Sequence, residues 1–167
     1  AGTLKGGVGG QNLSAGEADA NSAETQNLEY NFKYTDTRRS LYTPAFRNVR
    51  HPLFEVFDFA DINQPIPQRT TSTVATQALF VLNSDFVIEQ ARHGADRLLK
   101  GDLSDSERIK LAFQWSLGRV PSDAESRTAK DFIEGGLSGN ANDDERIDAW
   151  AGLLQSLWAT PEFRFLK

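Results

Sequence analysis

The feature that most constrains the fold is a helix-start signature that recurs three times in the last third of the chain. Each copy places a cap residue three positions before a glutamate: Ser104 and Glu107, Ser122 and Glu125, and Asn142 and Glu145. In such a capping box the cap side chain accepts a hydrogen bond from a free N–H of the first turn, and the glutamate accepts one from the cap N–H. The sequence therefore predicts three helices that begin at these positions.

Apolar residues at spacings of three and four follow each cap, as expected for helices with one buried face. The last helix has the strongest pattern: Ile147, Trp150, Ala151, Leu154, Leu157 and Trp158. The two helices before it are predicted to bury Ile109, Ala112, Phe113 and Leu117, and Ala129, Phe132 and Ile133, respectively. We expect all three tryptophans of the chain in this core: Trp115, Trp150 and Trp158.

Further helices are predicted upstream. One begins at Thr73 and has an apolar face formed by Ala75, Ala78, Leu79 and Leu82. After an interruption at residues 83–85, a second runs to about Lys100 with a narrow stripe of mostly small residues: Val87, Ala91, Gly94, Ala95 and Leu98. Such a stripe allows another helix, or the arginine-rich stretch described below, to approach closely. Pro52 is placed to open a short additional helix.

The first part of the chain has a different character. Residues 1–28 are rich in Gly, Ala, Ser and Asn without a regular apolar period, so we expect an arm or loop. Alternation of Tyr30, Phe32 and Tyr34, followed by a strand-like segment at 40–42, is consistent with a small β-hairpin near residues 29–43. The expected fold is mainly α, with about five to six helices in an orthogonal or bundle-like packing. Residues 29–167 are expected to form a single domain.

Composition excludes several kinds of site. The chain has no cysteine, so a disulfide, a thiolate metal site and a cysteine nucleophile are impossible. Its formal charge of -5 arises from both signs interspersed along the chain, which argues against nucleic acid as a partner. No apolar run approaches the length that crosses a bilayer, so we expect no membrane insertion. Because methionine is also absent, we expect the 167 residues to be an excised piece of a longer polypeptide, and the domain to be a fragment of a larger one.

In residues 38–83, arginines, aromatic residues and prolines stand at non-periodic positions, a pattern typical of a surface with a specific function. The arginines of the stretch are Arg38, Arg39, Arg47, Arg50 and Arg69. Asp58, Asp61 and Asn63 offer the oxygen ligands that calcium prefers, but their spacing is not that of an EF-hand. We therefore prefer the interpretation that the two aspartates pair with nearby arginines or cap short turns, and arginine pairing is the stronger of the two.

Other chemical candidates are weaker. His51 and His93 are the only imidazoles and lack the spacing of a metal or metalloprotease motif. The glycines of residues 6–10 have neither a preceding strand nor a following Lys-Ser/Thr pair, so they do not predict a phosphate loop. The aromatic residues between positions 30 and 59 are interpreted as core, with a sugar-stacking platform as the alternative.

Several motifs resemble one family. They are RRSLYTPAFRN, FEVFDFADIN and PQRTTSTVATQALFVLNSDFV, then R-x-x-x-A-F-x-x-x-LGR-x-P-S-x-x-E, and a closing W-x-x-L-x-x-S-L-x-x-x-x-E-F. Together they resemble the C-terminal domain of unknown function of planctomycete surface proteins that also carry a planctomycete cytochrome C domain. The resemblance spans most of residues 38–165 and implies that this chain is roughly the C-terminal half of that domain. Ala75 departs from the pattern, because proline often occupies that position in the family.

The resemblance implies a secreted, periplasmic or cell-surface setting and a biochemical role that is undefined for the family. Positions that match the family pattern are candidates for structural or interaction roles: Arg38, Arg39, Tyr42, Arg47, Asp58, Arg69, Gln77, Asn83, Arg119 and Pro121. Asp61 joins them through the arginine-pairing argument. The haem-attachment motif C-x-x-C-H is absent, so no cofactor is expected in this chain.

Two main functional hypotheses follow. The first is a non-catalytic structural or interaction module whose arginines dock against the missing N-terminal half, or against other domains of the same polypeptide, through bidentate pairs with carboxylates. The alternative is a carbohydrate-binding or carbohydrate-processing domain with a glycan as partner, which requires exposed aromatic faces beside two carboxylates. A weaker third hypothesis is an adhesion element that assembles through the glycine-rich arm.

Overall fold

The computed structural model of the chain describes residues 1–10, 37–60, 63, 75–137, 139 and 141–165. It divides into two compact units: Thr3–Thr73, here called the N-terminal unit, and Ala1–Gly2 with Val74–Lys167, here called the helical unit. The described residues contain seven α-helices and no strand, which confirms the predicted mainly α class. In chain order they are α1 (Pro52–Val56), α2 (Ala75–Asn83), α3 (Asp85–Leu99), α4 (Asp105–Leu117), α5 (Asp123–Gly135), α6 (Asp143–Trp158) and α7 (Pro161–Arg164).

In the N-terminal unit, a 3₁₀ turn at Ser40–Tyr42 replaces the strand that was predicted there. The Tyr42 N–H donates to the Arg39 carbonyl and the Thr43 N–H donates to the Ser40 carbonyl, both at 3.0 Å. These local bonds satisfy backbone groups that a strand would pair with a neighbour. The partner strand of the predicted hairpin lies outside the described residues. So does most of the predicted arm, and the division into an arm and a domain at residue 29 stays a prediction.

The three predicted capping boxes of the helical unit are all present. The cap side chains accept hydrogen bonds from the third helical N–H at 3.4 Å in α4, 3.3 Å in α5 and 2.8 Å in α6. The glutamates in turn accept from the cap N–H groups at 2.8, 2.7 and 3.1 Å. Each box satisfies two N–H groups that the start of a helix leaves without a partner. At the other end of α4, Gly118 adopts the left-handed conformation expected after a helix, with φ 70°.

Helix α6 is the centre of the hydrophobic core, and it crosses α3 at close range. A Cβ atom on Gly94 would lie only 2.9 Å from Leu154 Cδ1, so the glycine is what permits this approach. The predicted small-residue stripe of α3 therefore packs against a helix. The buried side chains around the crossing include Ala91, Ala95, Leu98, Ile109, Phe113, Ile133, Trp150, Leu153, Leu154 and Leu157.

Helix α2 buries a different face from the predicted one. Gln77 and Val81 are buried, whereas Leu79 is 55% exposed and Leu82 is 44% exposed. The prediction was wrong because it placed the most apolar face of the helix in the core. The sequence pattern does not indicate that Gln77 has a partner far away in the chain. Gln77 Oε1 accepts a hydrogen bond from Arg164 Nη1 at 3.3 Å, and a paired amide can be buried at little cost.

Two aromatic residues predicted for the core lie at the surface. Trp115 is 44% exposed, with the Arg97 guanidinium 5.0 Å from its ring centroid, a favourable position for a cation over an aromatic face. Phe132 is 49% exposed and lies over Gly152, where an added Cβ would meet the ring at 3.3 Å. Trp150, by contrast, is buried as predicted.

Side chains from neighbouring elements bind the open ends of two helices. Arg108, whose side chain is only 12% exposed, donates to the Leu98 carbonyl at 3.2 Å and to the Gly101 carbonyl at 2.9 Å, where α3 ends. Gln155 of α6 donates to the Val81 and Leu82 carbonyls of α2, each at 3.3 Å. Carbonyls in the last turn of a helix lack partners within the helix, so these bonds stabilise the C-terminal ends of α2 and α3.

Candidate functional site

In the N-terminal unit, Arg38 and Tyr42 together bind the backbone of the glycine-rich beginning of the chain. Arg38 Nη1 donates to the Gly9 carbonyl at 3.1 Å, and the Gly9 N–H donates to Tyr42 Oη at 3.1 Å. The guanidinium also lies 5.2 Å from the centroid of the Tyr42 ring. These contacts give two of the sequence-predicted residues a structural role in fixing a loop.

Asp58 occupies the position that ends helix α1. Its φ of 55° is in the left-handed region, which glycine enters freely and aspartate tolerates better than most residues. The next N–H, that of Phe59, donates to the Phe54 carbonyl at 2.9 Å, and the two phenylalanine rings stack at 4.9 Å. This bond and this apolar contact define a Schellman-type helix end. The backbone conformation therefore gives Asp58 a structural role in a turn, and turn capping was the weaker of its two interpretations from sequence.

A shallow aromatic pocket lies beside α1, and residues of α1 form part of its lining. Its cavity volume is about 20 Å³, and its lining is mainly apolar. The lining residues are Ala45, Phe46, Val49, Arg50, His51, Phe54, Glu55, Phe59 and Ala60. His51 Nδ1 accepts a hydrogen bond from the Leu53 N–H at 3.1 Å, and burial lowers the pKa of the imidazole. His51 is therefore a neutral helix cap at the edge of this pocket.

The other described candidates among residues 38–83 are Arg39, Arg47 and Asn83. Arg39 and Arg47 are exposed, and the Arg47 carbonyl accepts a hydrogen bond from Asn63 Nδ2 at 3.3 Å. Asn83 Nδ2 donates to the Leu79 carbonyl at 2.9 Å, near the end of α2. Asp61 and Arg69 lie outside the described residues, so the proposed pairing of Asp61 with an arginine stays a prediction.

Within the helical unit, Arg119 binds two carboxylates at once. Its Nε and Nη2 donate to Glu162 at 2.6 and 2.9 Å, and its Nη1 and Nη2 donate to Glu125 at 3.0 and 2.7 Å. Glu162 belongs to α7 and Glu125 to the first turn of α5, so one guanidinium joins α7 to the α4–α5 corner. We call this group of three residues the arginine clamp.

The electrostatics of the arginine clamp follow from its geometry. Hydrogen bonds from Arg119, and then from the Ser122 N–H and hydroxyl, lower the pKa of Glu125 from 4.5 to about 2. Hydrogen bonds to Glu162 and then to Glu125 raise the pKa of Arg119. Both groups are therefore charged at neutral pH. The three side chains are 36–44% exposed, so solvent weakens their attraction.

The sequence nominated Arg119 but not its partners. Glu125 was identified only as a capping acid, and Glu162 only as part of a motif. The R-x-P-S-x-x-E spacing contained a usable signal, because Arg119 lies three residues before the cap Ser122 of a helix whose third residue is acidic. The contact with Glu162 is 43 positions away and depends on how α7 folds back, which no local pattern indicates.

Helices α2 and α3 expose an apolar surface formed by Leu79, Leu82, Phe86 and Ile88, here called the α2–α3 surface. Their exposures are 55%, 44%, 50% and 38%, respectively. Leu79 and Leu82 are three positions apart on α2 and so share a face, whereas Phe86 and Ile88 lie in the first turns of α3. Large side chains exposed together on consecutive helices mark an interaction surface more often than isolated ones do.

Among the described residues, no three histidine or carboxylate side chains come close enough to hold a metal ion. No helix in the described ranges combines the length and the apolarity needed to cross a bilayer.

A family model described as "PSD1: Protein of unknown function (DUF1553)" matches residues 1–133. The chain belongs to this family. Membership in PSD1 confirms the resemblance to a domain of unknown function that the arginine-rich and helical motifs indicated. The matched residues end within α5, whereas the core-forming helix α6 lies beyond them. No curated protein and no solved structure matches the chain.

Proposed function

We propose that this protein is a non-catalytic structural and interaction module of a secreted, periplasmic or cell-surface multidomain protein. Its partners are the remaining domains of the same polypeptide, and it acts without a cofactor of its own. The family resemblance supports the setting and the multidomain context, and the arginine clamp is the observation that carries the structural role.

The arginine clamp bears on catalysis because strongly perturbed pKa values often mark catalytic groups. In this protein the lowered pKa of Glu125 and the raised pKa of Arg119 arise from the bonds that these two groups make to each other and to Glu162. Glu125 also accepts a hydrogen bond from the N–H of Ser122, the cap residue of α5. All of these contacts hold helices together, which favours a scaffold over a reaction centre.

The proposal is tested by titrating this chain with the separately purified remainder of its polypeptide in a calorimeter. Interfaces between domains of one chain resemble transient protein–protein interfaces, so we expect one-to-one binding with a dissociation constant of about micromolar or tighter. An unrelated helical domain of similar charge is the control. If no heat is released at concentrations of about 100 µM, the proposed interaction with the same polypeptide is wrong.

The aromatic pocket supports a second candidate, a carbohydrate-binding module. Phe59 is 45% exposed and stacked on Phe54, and an exposed ring of this kind can pack against the apolar face of a sugar. In the part of the chain that the structure describes, Glu55 is the carboxylate that lines the pocket. Glycoside hydrolysis uses a pair of carboxylates, so this arrangement favours binding over processing.

A glycan-array screen followed by NMR titration tests this candidate. Binding of an oligosaccharide at millimolar affinity or better should shift the signals of Phe54 and Phe59, and Phe59→Ala should abolish it. Leu41→Ala, which removes a side chain that is 83% exposed outside the pocket lining, is the matched control. Glycan binding that survives Phe59→Ala contradicts the assignment to this pocket.

A further inference from the structure

We infer that the α2–α3 surface is a docking site for an amphipathic helix that carries lysine or arginine beside its apolar face. The inference rests on the proposed interaction function and specifies the surface and the chemistry of the partner.

The surface is apolar where a partner helix needs it to be. Leu79 and Leu82 share a face of α2, and Phe86 follows in the first turn of α3, beyond the break at Ser84. Each exposes between 44% and 55% of its area. The inner side of the same helices is already occupied, because Val81 and Ala91 are buried. The exposed side therefore has no remaining role in the helical core, and docking would remove its apolar area from water.

The charged side chains along α2 and the first turns of α3 are acidic. Between residues 75 and 91 the charged side chains are Asp85 and Glu89, both acidic and both exposed, and the segment contains no lysine or arginine. The first cation after it, Arg92, forms ion pairs with Asp144 and Asp148 of α6. A partner with basic residues next to its apolar face would thus be attracted to this surface, and an acidic one would be repelled.

The secondary structure favours a helix as the bound form. The described residues contain no strand, so this part of the chain has no sheet edge to which an extended segment could add. Two helices that present side chains at helical spacing instead suit a helix whose own apolar residues recur at positions i, i+3, i+4 and i+7.

The experiment is an NMR titration of the isotope-labelled chain with a synthetic leucine–lysine peptide of about 18 residues, roughly five helical turns, with leucines at these positions. A leucine–glutamate peptide with the same leucine positions is the control probe. We expect the lysine peptide to bind and to shift the signals of residues 79–89. Added salt of about 0.5 M should weaken the binding of the lysine peptide several-fold. The glutamate peptide should not bind at the same concentrations.

Single substitutions locate the site. Leu82→Asp and Phe86→Asp should each weaken binding of the lysine peptide about tenfold or more, because a charge replaces an apolar contact. Leu41→Asp is the matched control and should leave the affinity unchanged, since Leu41 lies in the other unit. Asp85→Lys with Glu89→Lys keeps the apolar residues and should weaken binding through charge alone, which separates recognition from any loss of folding in the first two variants.

Three results would overturn the inference: equal binding of both peptides, binding that Leu82→Asp and Phe86→Asp leave intact, or self-association of the chain that these substitutions abolish. The last would make a second copy the occupant. The outcomes are distinct from failure of the proposed function. If the remainder of the polypeptide binds with unchanged affinity to Leu82→Asp, the interaction function stands and the assignment to this surface is wrong.

Discussion

Asp58 ends α1 with a φ of 55°, a conformation in which a side chain crowds its own carbonyl oxygen. From the sequence this aspartate was interpreted as a partner for arginine first, and as a turn cap or a metal ligand second, because residue type and spacing were the only information. The structure adds its backbone conformation, and the stacked Phe54 and Phe59 explain why the chain turns there. Residues with positive φ are therefore poorly predicted from sequence unless they are glycine.

Comparison of Asp58→Gly with Asp58→Ala tests this reading of the helix end. Both substitutions remove the carboxylate, and the two variants differ only in the Cβ atom. The loss of any contact made by the carboxylate is therefore the same in both and does not affect the difference between their stabilities. We expect the glycine variant to be more stable than the alanine variant by about 1 kcal/mol, measured by calorimetric unfolding. Equal stabilities would contradict a left-handed conformation at this position.

The arginine clamp predicts a particular dependence of stability on acid. The pKa of Glu125 is lowered from 4.5 to about 2 in the folded protein, so its stabilising contribution is fully present above pH 4.5 and is lost as the pH falls through about 2. Arg119→Ala removes the main cause of the lowered pKa. The variant should therefore lose less stability than the wild type between about pH 4.5 and pH 2, as measured by urea midpoints.

Lys130→Ala is the control for this acid titration. The Lys130–Glu134 pair is also an ion pair of the helical unit, but its atoms are 3.6 Å apart and its side chains are more than 60% exposed. It should keep the pH profile of the wild type. Parallel profiles of Arg119→Ala and wild type would show that the clamp does not hold the pKa of Glu125 low.

At the scale of helices, starts and ends were predictable where the signal is local. Each capping box lies within four consecutive residues, so the beginnings of α4, α5 and α6 could be identified from sequence. The buried face of α2 could not, because Gln77 is paired with Arg164 at a separation of 87 positions. Apolar periodicity identifies a helix but selects the wrong face when a polar residue has a distant partner.

The close crossing of α3 and α6 depends on Gly94. Gly94→Leu would push against Leu154, which is 2% exposed and has little room to move, so we expect a loss of about 1–3 kcal/mol in the free energy of unfolding. Gly135→Leu is the matched control, because a Cβ there meets nothing within 4 Å. It should change stability by less than about 0.5 kcal/mol. Similar losses in both variants would argue against a tight crossing at Gly94.

At the scale of the whole molecule, the family match and the folding unit do not end at the same place. The match stops at residue 133, yet Trp150, Leu153 and Leu154 of α6 are central to the core of the helical unit. The sequence predicted that α6 belongs to the core, since α6 has the strongest amphipathic pattern. The long-range contacts that assign partners to its side chains required the structure.

Truncation tests whether α6 is required. A chain that ends at residue 133 should lose the cooperative thermal unfolding of the helical unit in circular dichroism, because α3, α4 and α5 would expose their buried faces. A chain that ends at residue 159 lacks only α7 and the residues after it, and it should still unfold cooperatively at a lower temperature. A cooperative transition in the shorter chain would place the core elsewhere.

Our central proposal is that this chain is a module that docks to the rest of its polypeptide through the α2–α3 surface. Hydrogen exchange measured by mass spectrometry, on the isolated chain and on the full polypeptide, tests it most directly. The account predicts slower exchange in residues 75–91 within the full polypeptide, and unchanged exchange in α5, which lies outside that surface. Equal exchange of residues 75–91 in the two samples would contradict it.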